Sequence, residues 1–170
     1  MKTVEVSTVI YAPPEDVFDF LLDFPGYARY SSYIDSVRVD GDGSPGTAYH
    51  VRFSWWKLSY TLHSRVTRVE APTRLDWEVT RDLDAEGRWR LETSGVDPDD
   101  HDAACRLSLE VTFDAGSAEG VLDLPRFVSF DWVADRVVGL VAEEGERVVE
   151  RVVADLEGSR RAVDVDVTIR

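Results

Sequence analysis

Three histidines, a tyrosine cluster and one cysteine are the side chains whose types could move a proton or attack carbon near neutral pH. His50 lies in the run Tyr49-His50-Val51-Arg52-Phe53-Ser54-Trp55. It alternates with the apolar residues there and is expected to face away from a core. His63 sits where the alternation of the next segment falters, so its facing stays open between a site and the surface. His101 falls in Asp97-Pro98-Asp99-Asp100-His101-Asp102. Carboxylates so grouped can hold a hard cation, yet the loop lacks the glycine and distal glutamate of a calcium loop. Solvated charge is the better reading, and no metal is expected. Tyr27, Tyr30 and Tyr33 recur at i, i+3, i+6. Their hydroxyls could orient a carbonyl or hydroxyl on a ligand, or simply wet an aromatic cluster. A single cysteine, Cys105, cannot form an internal disulfide or a cysteine-based metal cage and reads as a structural residue at a strand edge. Arg52 and Arg65 can pair across strands with outward carboxylates such as Asp76 or Glu78. No HExxH, GxSxG, P-loop or GxGxxG pattern occurs. No catalytic residue is therefore assigned, and no cofactor is expected.

The elements that must carry these residues follow from periodicity. Thr3 to Ile10 alternates and reads as a strand with Val4, Val6 and Val9 as its inward candidates. Pro13-Pro14 stops it, Glu15 and Asp16 suit a helix first turn, and Val17, Phe18, Leu21 and Leu22 give residues 14–23 one apolar face. A second short helical turn is expected over 26–33. Strands are predicted at 36–40, across Tyr49, Val51, Phe53 and Trp55, and across Leu58, Tyr60 and Leu62 after a tight turn at Trp56-Lys57. Val66 and Val69 cannot share a face in a regular strand, so a bulge is expected near 63–65. Leu75, Trp77 and Val79 form the next inward set. A turn is expected at 84–87, and Trp89, Leu91 and Thr93 follow it. An acidic loop spans 95–102, and Leu107, Leu109, Val111 and Phe113 give the cleanest alternation in the chain. After 116–120 the period becomes helical. Phe130, Val133, Val137, Val141, Val148, Val152 and Leu156 mark one stripe, and Gly158 is a plausible cap. Residues 162–170 alternate Val163, Val165, Val167 and Ile169 with polar residues, as a last strand or an arm.

This order is α+β: one strand, two short helices, about six further strands in an antiparallel meander, and one long helix. The long helix is the element able to cover the concave face of a curved sheet, and it leaves space at mid-sheet. The fold expected is a helix-grip of about six to seven strands wrapped around a long C-terminal helix. Residues 1–160 are expected to form one domain, with 161–170 an extension.

Tyr11-Ala12-Pro13-Pro14-Glu15-Asp16-Val17-Phe18, then Asp23-Phe24-Pro25-Gly26-Tyr27, resembles the opening of the START-like (Bet v 1-like, SRPBCC) superfamily, in its polyketide cyclase/dehydrase and coenzyme Q-binding branch. Tyr60-Thr61-Leu62-His63-Ser64-Arg65-Val66 and Glu70-Ala71-Pro72-Thr73-Arg74-Leu75 are similar to that branch's middle strands. The resemblance implies an apolar ligand held between sheet and helix. The lining expected is Phe53, Trp55, Tyr60, Leu62, Trp77, Val79, Trp89, Leu91, Leu109 and Val111 from the sheet, with Phe130, Val133 and Val137 from the helix. Tyr27, Tyr30 and Tyr33 are expected near one mouth. For any one of these side chains, simple core packing is the competing role. Three functions stay open: a carrier for a lipid, isoprenoid quinone or polyketide-like molecule; a cyclase, aromatase or dehydratase using the same cavity; and a protein-docking module.

Composition narrows the partners. The 170 residues hold 33 acidic and 19 basic side chains, a formal charge of −14. That field repels phosphate backbones and anionic membrane surfaces, so nucleic acid is not an expected partner. No apolar run approaches a membrane span and no secretory core opens the chain, so a cytoplasmic protein without stable membrane insertion is expected. A homodimer stays open. Only Lys2 and Lys57 are lysines among the basic residues, and Asp outnumbers Glu. Such a surface resembles that of salt-loving archaeal proteins, the alternative being an ordinary acidic protein from a GC-rich genome.

Overall fold

A computed structural model describes residues 1–93, 95–97, 101–118 and 126–170, and for Tyr27, Ala115, Ala118 and most of 130–142, with Gly145, it describes the backbone alone. Among the described residues the chain runs β1 (Lys2–Ile10), α1 (Pro14–Leu22), α2 (Phe24–Ala28), β2 (Ile34–Asp40), β3 (Ala48–Trp55), β4 (Leu58–Glu70), β5 (Arg74–Val79), β6 (Ala85–Glu92), β7 (Cys105–Phe113), α3 (Phe130–Glu157) and β8 (Asp166–Ile169). The eight strands form one antiparallel sheet in the order β2-β3-β4-β5-β6-β7-β1-β8. This is the helix-grip architecture, with an extra strand where the tail was open between strand and arm.

Local chemistry explains the boundaries. α1 begins at Pro14, where a missing N–H costs nothing, and carries Glu15 and Asp16 against its positive end. α3 is capped by Ser129, whose Oγ accepts from the Trp132 N–H at 3.2 Å, and ends on Gly158 with a left-handed φ of 77°. The β3–β4 hairpin turns on Trp56 and Lys57, with Trp56 itself left-handed (φ 54°).

Four expectations need correction. The bulge lies between Val66 and Arg68, later than 63–65. Val66 therefore opposes Trp77, Val69 opposes Leu75, and both valines reach the same face. The turn after β5 closes before Ala85, so Gly87 is a strand residue opposite Trp77 and Val111. In β1 the inward residues beside Val4 and Val6 are Thr8 and Ile10, not Val9. Thr8 is buried because its hydroxyl donates to the Asp164 carbonyl at 2.9 Å, which satisfies the polar group. The second helical turn is placed earlier than 26–33, at Phe24–Ala28.

The core sits at one end of the inward face. Ile10, Tyr49, Val51, Val66, Leu75, Leu91, Cys105 and Leu107 from the sheet pack with Val17, Phe18 and Leu21 of α1 and Val153 of α3. Burying each large side chain contributes about 1.5–3 kcal/mol relative to exposure. Val149 and Leu156 of α3 pack against the same cluster, so the C-terminal half of the long helix is seated on the sheet.

Candidate functional site

Burial fades in the same direction along six strands. In β3, Tyr49 and Val51 are buried while Phe53 and Trp55 are half-buried. In β4, Val66 is buried while Leu62 and Tyr60 are half-buried. The same step separates Leu75 from Trp77 and Val79 in β5, and Leu91 from Trp89 in β6. It separates Leu107 from Leu109 and Val111 in β7, and Ile10 from Val6 and Val4 in β1. The antiparallel register places these half-buried positions at one end of the sheet, on the face the core shares. α1 and the end of α3 close one end of that face. The other end keeps a partly exposed apolar floor rich in aromatic rings.

The sheet residues expected to line a ligand space divide accordingly. Phe53, Trp55, Tyr60, Leu62, Trp77, Trp89, Leu109 and Val111 come together on this floor. Leu91, 4% exposed, lies in the packed core at the closed end. Trp77 lies over Gly87: a Cβ added there would stand 2.1 Å from Trp77 Cζ2. The missing side chain is what lets the indole lie flat across β6. The side chains of Tyr27, Phe130, Val133, Val137 and Val141 fall outside the described residues.

Among the described residues, a phenol stands at the edge of this floor. The Tyr60 hydroxyl donates to the Arg81 carbonyl at 3.5 Å, at the limit for a hydrogen bond. Burial first, and then the Asp82 charge, push its pKa above the ordinary tyrosine value, so the phenol keeps its proton. Tyr30 and Tyr33 lie in the α2–β2 connection. Arg151 of α3 donates to the Tyr30 carbonyl at 2.7 Å, and Ser54 of β3 donates to the Tyr33 carbonyl at 2.9 Å. Between them, the Ser32 amide and hydroxyl both donate to Glu144 of α3, at 3.1 and 3.2 Å. The connection is thereby tied to both walls of the grip.

The histidines stand elsewhere. His63 faces outward with His50, its direct partner across β3 and β4, the rings edge-on with centroids 4.6 Å apart. Desolvation, then the neighbouring His50 and Arg81, lower the His63 pKa below the ordinary histidine value, favouring the neutral ring. His101 stacks on Tyr11 with centroids 4.0 Å apart, and the Arg161 guanidinium lies 4.7 Å from the Tyr11 centroid. Asp99 and Asp100, proposed with His101 as a charged loop, lie outside the described residues. No group of three or more metal-ligating side chains occurs among the described residues. Cys105 is fully buried, and desolvation with the Glu15 charge pushes its thiol up to about 11, too high for a nucleophile at neutral pH.

The outward face carries ion pairs instead. Arg65 bonds Glu78, and Arg52 lies 3.8 Å from Asp35. Asp76 accepts from Arg74 at 2.6 Å and Arg88 at 3.1 Å, beside a shallow polar depression of about 80 Å³. These groups satisfy one another and read as structure.

The sequence puts Trp56 and Trp132 in or beside the lining, but not against each other. Trp56, at the hairpin tip, meets Trp132, in the first turn of α3, with centroids 6.5 Å apart and planes at 65°. Trp55 lies 6.4 Å from Trp56, and Lys57 Nζ lies 5.6 Å from the Trp56 centroid. Trp56 and Trp132 remain 54% and 50% exposed. Both tryptophans are visible in the sequence. Their meeting is not, because it depends on a long-range helix position.

A family model described as polyketide cyclase / dehydrase and lipid transport matches residues 1–157. No curated protein matches the chain significantly. Among solved structures, the Zhui aromatase/cyclase from Streptomyces sp. R1128 superposes with a TM-score of 0.69 at 16% identity, over 92% of this chain and 94% of that one. TTHA0849 from Thermus thermophilus gives 0.68 at 19% identity, over 92% and 97%. A START superfamily protein from Mycobacterium smegmatis gives 0.64 at 15% identity, over 92% and 99%. At such identities the structural likeness is one of fold. The match along residues 1–157 goes further: the chain belongs to the polyketide cyclase / dehydrase and lipid transport family.

Proposed function

We propose that the protein binds an apolar, ring-bearing small molecule, of the lipid, isoprenoid quinone or polyketide-like kind, between the sheet floor and α3, and that it carries this molecule rather than transforming it. The observation behind this reading is the shared fading of burial along six strands. It leaves Trp55, Tyr60, Trp77, Leu109 and Val111 half-buried on one apolar floor. A mostly apolar concavity with few polar tips is the usual chemistry of such binding. The protonated Tyr60 hydroxyl can donate to a ligand carbonyl, an orienting contact. Family membership supports the ligand class.

An acid–base enzyme in this fold needs a titratable group on the floor. Among the described residues Tyr60 is such a group, but its raised pKa keeps the phenol protonated and a poor base near neutral pH, while His50, His63 and Arg65 stand on the outward face. The carrier reading is therefore favoured over the cyclase or dehydratase one. In the same reading the acidic surface belongs to a protein of a salt-rich cytoplasm.

Native mass spectrometry of gently purified protein in volatile salt, followed by organic extraction, tests the proposal. The expected result is an apolar adduct of defined mass, lost or weakened in Trp77→Ala. A bare chain that also fails to enhance the fluorescence of an added anilinonaphthalene dye would overturn it.

A further inference from the structure

We infer that β8 is a self-recognition edge: two copies of the chain join through antiparallel β8–β8 pairing centred on Thr168, continuing the two sheets as one. Residues 158–170 lie beyond the family match.

The backbone supplies the first argument. Thr3 and Arg170 exchange two backbone hydrogen bonds, each 2.8 Å. Hydrogen-bonded and non-bonded pairs alternate along an antiparallel ladder, so Thr168 and Asp166 also point their amides at β1. The N–H and C=O groups of Val167 and Ile169 then point to the free edge. All four β8 residues are exposed.

The side chains supply the second. A two-fold axis through Thr168 sets Val167 opposite the partner copy's Ile169, a pair that bonds through the free groups just named. It sets Thr168 against Thr168, and Asp166 against Arg170. Asp166 lies 3.8 Å from Arg106 and Arg170 bonds Glu5 at 2.9 Å, but at 78% and 59% exposed each keeps an open side from which it can add the partner copy's opposite charge. The strand is thus complementary to itself in hydrogen bonding, apolar pairing and charge. On the inward face Val167 and Ile169, 43% and 55% exposed, continue the half-buried Val4 and Val6 of β1, and the partner copy extends this apolar strip.

The opposite edge is defended. β2 carries Asp35, Arg38 and Asp40 and a register break between Ile34 and Ser36, features that discourage edge pairing. β8 has no such bulge, and its exposed valine and isoleucine would be a liability if left bare. A strand this short buries little area, so the dimer is expected to be weak. Two copies at −14 repel, and added salt should tighten it.

Sedimentation velocity on the full chain at about 10–200 µM, in low and molar KCl, reads the association directly. The expected result is a monomer–dimer equilibrium about tenfold tighter in high salt. Val167→Pro removes an amide that faces the edge while leaving the β1 bonds intact, and should weaken association at least about tenfold with circular dichroism unchanged. Thr168→Cys should crosslink to a dimer under mild oxidation. Non-bonded antiparallel partners sit about 4.5 Å apart at Cα, within disulfide reach. The buried Cys105 does not compete. A monomer at every concentration, a dimer indifferent to Val167→Pro, or a dimer in which Thr168→Cys fails to crosslink would each overturn the inference.

Discussion

Asp76 shows how a single carboxylate is fixed on the outward face. It is 15% exposed at its side chain and accepts from both Arg74 and Arg88, while Arg88 also reaches Glu110 at 3.8 Å. Burial alone would raise its pKa. The hydrogen bonds from Arg74 and the Arg88 charge outweigh that, and the carboxyl is held below its ordinary value. A depressed carboxyl stabilises the fold above its unfolded pKa of about 3.9, and the contribution is lost as pH falls through the folded value. Asp76→Asn should therefore cost about 1–2 kcal/mol at pH 7, and the gap between variant and parent should narrow below about pH 4. Denaturant titrations at both pH values check this. A gap that persisted unchanged in acid would mean the loss came from packing rather than charge.

At the scale of elements, β5 and β6 are joined by their backbone ladder, and the packing of the Trp77 ring across it depends on a missing atom. Gly87 leaves room for the Trp77 indole, and a methyl group there would sit 2.1 Å from the ring. Gly87→Ala should cost about 1–3 kcal/mol as the ring is forced off β6. Because the clash is with one side chain, Trp77→Leu in the same chain should recover part of that loss, and a double-mutant cycle of thermal unfolding measures it. Additive losses would place the strain in the backbone instead. Why the sequence showed β7 but misplaced this pair is a matter of what alternation encodes. Leu107, Leu109, Val111 and Phe113 repeat without interruption, so face and register follow together. Val66 and Val69 reveal that the alternation breaks but not where: the insertion falls between Val66 and Arg68 rather than near 63–65, because Val66 pairs with Trp77. Gly87, in an Asp-Ala-Glu-Gly run, carries a turn signal that the long-range fit of Trp77 overrides. Thr8 is buried only because Asp164, near the other end of the chain, offers it a carbonyl. The apolar floor was legible for the same reason that β7 was. The Trp56–Trp132 rim was not, since neither residue's neighbours in sequence announce the other.

For the whole molecule the deciding quantity is charge. The outward face is stitched by pairs such as Asp76–Arg88, and Arg170 bridges Glu5 and Glu110, two like charges directly opposed across β1 and β7. Salt weakens such pairs and also weakens the repulsion among the surplus acids. The two effects oppose each other in the overall stability. Exposed pairs are worth at most about 1 kcal/mol each, and partly buried ones are screened less than open charges. The surplus of 14 negative charges acts across the entire surface, and its self-repulsion is cut as the Debye length falls from about 10 Å at 0.1 M to about 3 Å at 1 M. Repulsion should dominate, so the melting temperature should climb steadily with KCl toward molar concentration and then flatten once the screening length drops below the spacing of surface carboxylates. Arg170→Gln sharpens the test by leaving Glu5 and Glu110 facing each other without their bridge. Its deficit should be largest in low salt and shrink as KCl is added. A melting temperature that fell with salt, in parent and variant alike, would mean that the ion pairs outweigh the surplus, and the acidic surface would then have to be explained by solubility rather than by a salty milieu.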